Sequence, residues 1–328
     1  MTNKEREFPE PLVYHPTWDV EDSTKTNAFL ECPRKYFYEY VLGWRPSGAK
    51  QDLIFGQAWH EAMEILLLEG YGEEGLLKAA QAFLAEYRLT FGEHTDDIYA
   101  PKNPGSAMVA LSKYAKVYAD DLRKYRVLYT EVAGAVPVIA DKEIHFRFDG
   151  LLEDKATGLK FIMEHKTTKR GGRTWVDQWS LSMQIGTYTH ALYCLYGPEE
   201  SYGVRVNGAI FTKEPSFTRV PCKKDIDSMN VWHSTMAYII QSKDNEFQKL
   251  SEAGKKDRCL DAFPLNPTAC TKYWGCPYHD FCTSWSNPLR RCDTVPDGFD
   301  IFRWDPNDRP SKAILSINDA GLAKMVLK

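Results

Sequence analysis

The stretch from Lys142 to Lys169 constrains the fold of this 328-residue chain more than any other part of it. Its first part, His-Phe-Arg-Phe-Asp, alternates in residue type up to Asp149, which is the two-residue period of a β-strand. A polar connection follows and ends at Gly158, a residue type that tolerates the positive φ of hairpin loops. An apolar strand then runs to Glu164 and Lys166. The stretch therefore predicts a hairpin that carries two carboxylates and a lysine close to its strand ends.

Carboxylates that converge in a partly buried place repel each other, so Asp149 and Glu164 favour a bound cation. Hard divalent cations prefer oxygen ligands, and a nearby lysine suits the negative charge that builds up on a phosphate. A Glu-x-Lys pair on a strand is by itself more often an ion pair on a solvated face. The position of this pair, after a strand, an Asp-Gly and a turn, is what favours a catalytic site.

This order of elements resembles the PD-(D/E)XK nuclease superfamily, whose Asp and (D/E)xK motifs match Asp149 and the Glu-His-Lys that ends at Lys166. The resemblance implies an α/β fold: a restriction-endonuclease-like core with a mixed central sheet flanked by helices. It covers most of residues 23–285, and the matching motifs occur in the order in which the family has them.

Two helical motifs narrow the resemblance to the RecB-like exonuclease branch. Gly56 and His60 lie four residues apart in the amphipathic helix predicted over 54–69, and they resemble that branch's Gly-x-x-x-His. Gln184 and Tyr188 lie one turn apart in the helix predicted after the hairpin, and they resemble its Gln-x-x-x-Tyr. A helical histidine taken alone is more often a packed or surface residue than a ligand.

The resemblance implies a role for each motif. A divalent metal, Mg²⁺ or Mn²⁺, would be held by His60, Asp149 and Glu164, together with the backbone carbonyl of His165. Lys166 would orient the attacking water or stabilise charge on the phosphate, and the Gln-x-x-x-Tyr pair would position this lysine or the DNA strand.

Three cations follow the hairpin in a glycine-containing segment: Lys169, Arg170 and Arg173. Each of them alone is most simply part of a solvated loop. As a group beside a metal site, they are candidates for holding DNA phosphates without regard to sequence.

Composition sets limits on the surroundings of such a site. The net charge of −4 argues against a protein surface that binds nucleic acid over most of its area, so DNA would bind in a local groove. No apolar run approaches 18 residues, and the N-terminal sequence lacks the apolar segment of a signal peptide. We therefore expect a cytoplasmic protein, in the host cytoplasm if a phage encodes it, with no membrane partner.

In that compartment the eight cysteines are better candidates for metal ligands than for a disulfide framework. Cys270, Cys276 and Cys282 recur with five residues between neighbours, in a segment broken by glycine and proline. Three thiolates leave a tetrahedral site one ligand short.

The family resemblance supplies a fourth ligand. Some RecB-like nucleases, including AddB-type and CRISPR-associated adaptation exonucleases, hold a 4Fe-4S cluster with one N-terminal and three C-terminal cysteines. Cys32, within Cys-Pro-Arg-Lys-Tyr, resembles the first of these ligands and would form a clasp with 270–282. The five-residue gap departs from the family's Cys-x-x-Cys, so Cys259 is an alternative ligand and zinc an alternative metal, with His279 as a further zinc ligand.

We expect an N-terminal arm over 1–22, a nuclease domain over 23–285 with a helical insertion at about 70–127, and a C-terminal tail over 286–328. A short helix is predicted near the end of that tail, over 319–326. The first strand of the sheet is predicted just before the hairpin.

The function expected from the sequence is a metal-dependent DNA exonuclease that acts on single-stranded ends in recombination, repair or DNA processing of a phage or bacterium. A helicase or recombination protein is a possible partner. Two alternatives are a catalytically silent iron–sulfur DNA-binding module of such a complex and a zinc-stabilised interaction domain.

Overall fold

The computed structural model describes residues 3–139, 142–272, 275–308, 311, 313–317 and 323–327. The chain divides into two compact units, each assembled from separate segments. One, called here the hairpin unit, comprises residues 49–136, 146–229 and 310–328. The other, the cysteine unit, comprises residues 1–48, 137–145 and 230–309.

The bounds of the elements are as follows. The helices are α1 Ser23–Glu31, α2 Pro33–Tyr36, α3 Gln51–Glu69, α4 Glu73–Arg88, α5 Pro104–Val117, α6 Asp121–Lys124, α7 Arg173–Asp177, α8 Met183–Tyr196, α9 Ile226–Glu252 and α10 His279–Ser284. The strands are β1 Glu21–Asp22, β2 Trp44–Pro46, β3 Tyr125–Ile139, β4 Lys142–Asp154, β5 Lys160–Thr168, β6 Ser201–Ile210, β7 Ser216–Cys222, β8 Phe299–Ile301, β9 Ala313–Ile317 and β10 Ala323–Leu327.

The predicted hairpin is confirmed as the antiparallel pair β4–β5. Its loop closes through two backbone bonds, from the amide of Asp154 to the carbonyl of Leu159 and from the amide of Gly158 to the carbonyl of Asp154. Gly158 has φ +74°, the conformation for which its lack of a side chain suits it. Local turn chemistry therefore fixes the register on which the strand ends depend.

The main sheet of the described residues has the strand order β10–β9–β3–β4–β5–β6–β7. It is mixed: β5–β6 and β3–β9 are parallel, whereas β4–β5, β6–β7 and β9–β10 are antiparallel. The predicted first strand is confirmed as β3, and the mixed α/β architecture is confirmed with it. Within the cysteine unit, the first residues of β4 pair in parallel with β1.

The hairpin unit has an aromatic core that holds α3 in place. The ring of Phe55 on α3 packs edge-on against Phe83 of α4 and Phe211, with centroids 5.2 and 4.8 Å apart. Trp59, fully buried on the same helix, packs against Phe211 at 5.3 Å. Residues 70–127, predicted as a helical insertion, hold α4, α5 and α6. Because buried aromatic pairs fix the rotation of α3, they also fix where His60 points.

In the cysteine unit, the helical conformation is interrupted between α1 and α2 at Cys32. Cys32 is extended (φ −163°, ψ 113°) and Pro33 opens α2, where its missing N–H costs no hydrogen bond. Arg34 is buried and donates to the carbonyls of Phe263, Leu260 and Ala262 at 2.8, 2.7 and 3.3 Å. This one guanidinium satisfies three buried acceptors from a segment more than 220 residues away.

The terminal segments also take defined places. Within the predicted N-terminal arm, Trp18 is buried and donates from its indole to the carbonyl of Val41 at 3.0 Å. The helix predicted over 319–326 is wrong for residues 323–326, which lie in β10 and pair with β9; residues 319–322 lie outside the described residues. Strand pairing outweighed the local helical pattern there.

None of the helices in the described part of the chain combines the length and the apolar character of a membrane-spanning segment.

We expect Arg34→Leu to lower the free energy of unfolding by roughly 3 kcal/mol, because it leaves three buried carbonyls without a donor. Urea unfolding followed by circular dichroism measures the change. Arg123→Leu is the matched control, since the Arg123 side chain is 75% exposed and pairs with exposed Asp120. Equal midpoints for the two variants would show that the Arg34 bonds contribute nothing net.

Candidate active site at the end of the hairpin

The register of the β4–β5 pairing brings Asp149 and Glu164 to neighbouring positions at one end of the hairpin. Both carboxylates are buried, with 7% and 1% of the residue exposed. Alternation along β5 places Glu164 and Lys166 on one face and the ring of His165 on the other. The predicted pair of carboxylates is thus brought together in a desolvated place.

His60, on α3, contacts both the carboxylate and the backbone of this pair of strands. Its Nδ1 lies 3.2 Å from Asp149 Oδ1, and its Nε2 lies 2.9 Å from the carbonyl oxygen of His165. The amide of His165 donates to Asp149 Oδ2 at 2.6 Å. The backbone N–H and C=O of His165 are therefore both hydrogen-bonded, the N–H to Asp149 and the C=O to His60.

Glu164 is contacted by the remaining predicted residues. Lys166 Nζ lies 2.5 Å from Glu164 Oε1, and Gln184 Nε2 donates to the same oxygen at 3.1 Å. Gln184 Nε2 also lies 2.8 Å from the hydroxyl of Tyr188, which in turn donates to the carbonyl of Arg147 on β4 at 2.5 Å. The Gln-x-x-x-Tyr pair thus links α8 to β5 through one bond and to β4 through another.

The two carboxylates differ in their affinity for a proton. Burial would raise the pKa of Asp149, but His60 outweighs it and holds that pKa below its usual range. Burial and the charge of Asp149 together raise the pKa of Glu164 to about 7, against the opposing effect of Lys166. Burial would lower the pKa of His60, but Asp149 and Glu164 raise it to about 9. Near neutral pH, Asp149 and protonated His60 therefore form an ion pair, while Glu164 holds its proton much more tightly than Asp149 does.

The donor set suits a hard divalent cation. Glu164 Oε2 is buried and has no hydrogen-bond partner among the described residues, which is costly for a carboxylate oxygen unless something positive binds it. No group of three or more Cys, His, Asp or Glu side chains in the described part of the chain has the geometry of a formed metal site. Both nitrogens of His60 face protein oxygens and Glu164 faces Lys166, so a cation would have to replace these contacts.

The structure adds acidic residues that the sequence did not single out. Glu131 on β3 has φ +48°, lies 3.3 Å from Arg147 Nη1 through Oε2, and has a pKa raised to about 7 by burial and by Asp149. Glu64 is buried on α3, one turn after His60. The four-residue spacing of Glu64 from His60 could have revealed it, whereas no local pattern points to Glu131.

The predicted DNA-binding cations contact other residues. Lys169 Nζ lies 3.6 Å from Asp52 Oδ1 at the start of α3. Arg173 is 93% exposed in its side chain and pairs with Asp177 at 3.2 Å. Arg170 is exposed. The structure therefore places three cations at the surface soon after β5, two of them in ion pairs with exposed carboxylates.

Three of the four predicted cluster ligands line one cavity of the cysteine unit. Cys32, Cys270 and Cys276 surround about 150 Å³ of space together with Glu31 and Lys35. The amide of Cys276 donates to the carbonyl of Cys270 at 2.9 Å, which closes the loop between the two thiols.

Cys282 belongs to the same cluster of thiols. Burial, together with the nearby thiols of Cys32, Cys276 and Cys270, raises the pKa of Cys282 to about 11, against the opposing effect of Arg34. The alternative ligand Cys259 is exposed and donates to Asp261 at 3.3 Å. His279, the alternative zinc ligand, faces Asp280 at 3.4 Å, with half of its side chain exposed.

Comparison with known proteins gives a family match. The family model of the PD-(D/E)XK nuclease superfamily matches residues 23–283. No curated protein sequence matches the chain.

Two solved structures are similar to the chain. A protein of Eubacterium rectale named "Putative exonuclease" is 13% identical, with a TM-score of 0.44 over 71% of this chain and 85% of its own. SSO0001 is also 13% identical, with a TM-score of 0.32 over 71% of this chain and 78% of its own.

The family match spans most of the chain and includes the hairpin with its Asp, Glu and Lys. Members of this superfamily are nucleases, and they use divalent metals. The chain belongs to the PD-(D/E)XK nuclease superfamily.

Proposed function

We propose that this chain is a Mg²⁺- or Mn²⁺-dependent deoxyribonuclease that degrades DNA from single-stranded ends. The observation that carries this proposal is the convergence of one histidine, two buried carboxylates and a lysine at the end of the hairpin, with Glu164 Oε2 lacking a protein partner. Family membership supports phosphodiester hydrolysis. The RecB-like form of the two helical motifs supports exonuclease action on single strands.

His60, Asp149 and Glu164 would hold the divalent cation, together with the carbonyl of His165. When bound, such a cation polarises the scissile phosphate and lowers the pKa of an attacking water. Three contacts support this set: the backbone N–H and C=O of His165 are both hydrogen-bonded, and His60 lowers the pKa of Asp149 against the effect of burial.

Lys166 is the residue that acts on developing charge. Its ammonium pairs with Glu164. If Glu164 served as a metal ligand, Lys166 would be released to orient the attacking water or to stabilise negative charge on the phosphate. Gln184 and Tyr188 keep Glu164 in place during this exchange, because they tie its Oε1 to α8 and β4.

Phosphates of the strand would be held by Lys169, Arg170 and Arg173. These side chains are exposed or paired only with exposed carboxylates, so a phosphate can displace the partner at little cost. Such contacts read charge rather than base sequence.

In the cysteine unit, the four thiols of Cys32, Cys270, Cys276 and Cys282 would hold a 4Fe-4S cluster as a structural clasp. This proposal is supported by the cavity that Cys32, Cys270 and Cys276 line and by the effect of neighbouring thiols on the pKa values of Cys276 and Cys282. Zinc with the same four ligands is the competing occupant.

The RecB-like resemblance alone supports the wider role. It assigns the activity to recombination, repair or DNA processing in the cytoplasm of a bacterium or of a phage host, with a helicase or recombination protein as partner.

The test of the nuclease is Asp149→Asn, which keeps the size of the side chain and an acceptor for the His165 amide. We expect cleavage of a 5′- or 3′-labelled single strand to fall by on the order of 10²-fold or more, because one metal ligand loses its charge. Lys166→Ala should lower turnover similarly while it leaves metal binding intact.

The matched control is Glu74→Gln, which neutralises a carboxylate with an 81% exposed side chain on α4. Its cleavage rate should equal that of the wild type. Full cleavage by folded Asp149→Asn protein would contradict the assignment of the active site. Cleavage at internal positions, rather than stepwise shortening of the labelled strand from one end, would contradict exonuclease activity.

Metal binding is expected to strengthen as the pH rises from about 6 to about 9, because raised pKa values of Glu164 (about 7) and His60 (about 9) make protons compete with metal. A raised pKa stabilises the folded apoprotein at low pH, and that stabilisation is lost as the pH rises through these values. Mn²⁺ should therefore raise Tm more at about pH 8.5 than at about pH 6. Differential scanning fluorimetry against an EDTA reference measures this; equal shifts at both pH values would contradict competition.

Protein purified without oxygen should be brown, with absorbance near ~400 nm and about four irons per chain. Cys32→Ser should remove this colour as completely as Cys276→Ser and lower Tm, because the metal contributes to folding. Cys194→Ser is the control, since Cys194 faces His190 in a different unit. Colourless protein with one zinc per chain would show that zinc, not an iron–sulfur cluster, occupies the four-cysteine site. Iron lost only in Cys259→Ser would show that Cys259, not Cys32, is the fourth ligand.

A further inference from the structure

The ring of His165 lies outside the candidate site, although its backbone is part of it. The residue is 1% exposed, and its side chain is on the face of β5 opposite to Glu164 and Lys166. Its amide and carbonyl contact Asp149 and His60, as described above. Whatever holds the ring therefore sets the orientation of the peptide between the two catalytic side chains.

A row of polar residues crosses three strands on this opposite face. His165 on β5 pairs in register with Asn207 on β6, and Asn207 pairs with Arg219 on β7. Asn207 is 2% exposed and lies between Val206 and Ala209, which are also buried. Buried polar residues on a strand of this kind cost stability unless they are fully hydrogen-bonded, so the row calls for an explanation.

The hydrogen bonds of the row run in one direction. Arg219 Nε can only donate, and it lies 3.4 Å from the Asn207 side-chain oxygen, which fixes the orientation of that amide. Asn207 Nδ2 then faces His165 Nδ1 at 3.1 Å and the hydroxyl of Tyr114 at 2.5 Å. Since an amide nitrogen is a donor, we assign His165 Nδ1 as the acceptor and its proton to Nε2, which is buried and has no hydrogen-bond partner among the described residues.

The far end of the row is anchored by charge. Arg219 forms two bonds to Asp121, at 2.7 and 3.0 Å, and its guanidinium lies 4.0 Å from the centroid of the Tyr118 ring. Asp121 is buried at the start of α6. A bidentate pair with a stacked ring leaves the guanidinium little freedom, so Nε is held pointing at Asn207.

We propose that Asn207 and Arg219 are positioning residues that aim the His165 carbonyl at the metal. The inference rests on the proposed function, since it assumes that this carbonyl is a ligand. Both side chains belong to the row on the face opposite to Glu164 and Lys166, so they would act through the His165 ring, which Asn207 holds by a directed hydrogen bond. Outer residues that orient a ligand commonly contribute 10- to 100-fold to metal affinity.

A specific consequence separates this role from simple stabilisation of the sheet. Mg²⁺ demands near-ideal octahedral geometry, so a misaimed carbonyl should weaken Mg²⁺ binding more than binding of a larger, less demanding cation such as Mn²⁺. Loss of the Asn207 bond should therefore shift the metal preference of the enzyme and leave turnover at saturating Mn²⁺ nearly unchanged.

The experiment measures Mg²⁺ and Mn²⁺ affinity of the full chain by calorimetry, together with the concentration of each metal that gives half-maximal cleavage of single-stranded DNA. We expect Asn207→Ala to lower the affinity for Mg²⁺ by roughly tenfold and the affinity for Mn²⁺ by clearly less. Arg219→Lys keeps the charge beside Asp121 but removes the Nε donor. It should shift the ratio of Mg²⁺ to Mn²⁺ affinity in the same direction, but by less.

Asn287→Ala is the matched control. Asn287 is 3% exposed and donates to the carbonyls of Gly254 and Asp257 at 2.9 and 3.1 Å in the cysteine unit. It should lower Tm without changing the ratio of Mg²⁺ to Mn²⁺ affinity.

Three results would overturn the inference. Wild-type Mg²⁺ affinity in folded Asn207→Ala and Arg219→Lys proteins would show that the row does not aim the carbonyl. An equal loss of affinity for Mg²⁺ and Mn²⁺ would show that the row has only a structural role. Wild-type protein that neither binds a divalent cation nor cuts DNA would instead refute the proposed function, and the inference with it.

Discussion

The structure of the hairpin unit depends on the repulsion between two carboxylates that the register of β4 and β5 buries side by side. Asp149 and Glu164 can stay there only if positive charge and hydrogen-bond donors reach them from several directions. The fold supplies these from α3, from the β5 backbone and from α8, as His60, the His165 amide and Gln184. The aromatic packing of α3 is therefore tied to the electrostatics of the strand end, because the helix must be rotated to present His60.

This arrangement treats the two carboxylates unequally. Asp149 accepts from the His165 amide and faces His60, so the protein itself stabilises its charge. Glu164 depends on Lys166 and Gln184 for one oxygen, while its other oxygen has no partner in the described part of the chain. One carboxylate is thus preorganised in its charged form, and the other is held near its point of ionisation. The cation that we propose for this site would have to displace protein partners of both carboxylates.

The sequence predicted what local patterns determine. Alternation up to Asp149 and a glycine turn specify the hairpin, and the four-residue spacings of Gly56 with His60 and of Gln184 with Tyr188 specify two helical faces. Contacts that depend on the pairing of distant strands were missed. Glu131 reaches the site through β3, and Asn207 meets Arg219 only because β6 and β7 pair in one register. The end of the chain was predicted wrongly for a similar reason, since β10 exists through its pairing with β9.

The three carbonyls bound by Arg34 have a consequence for how the protein is made. The cysteine unit needs residues on either side of a gap of more than 220 residues, so the N-terminal part of it cannot be completed when it leaves the ribosome. At about 5–20 residues per second, Trp18, Tyr36 and Tyr38 wait on the order of 10 to 45 s for their partners. Most of the hairpin unit is synthesised within that interval. The aromatic side chains of residues 18–38 therefore stay without their distant partners for that interval, and slower translation lengthens their exposure to solvent.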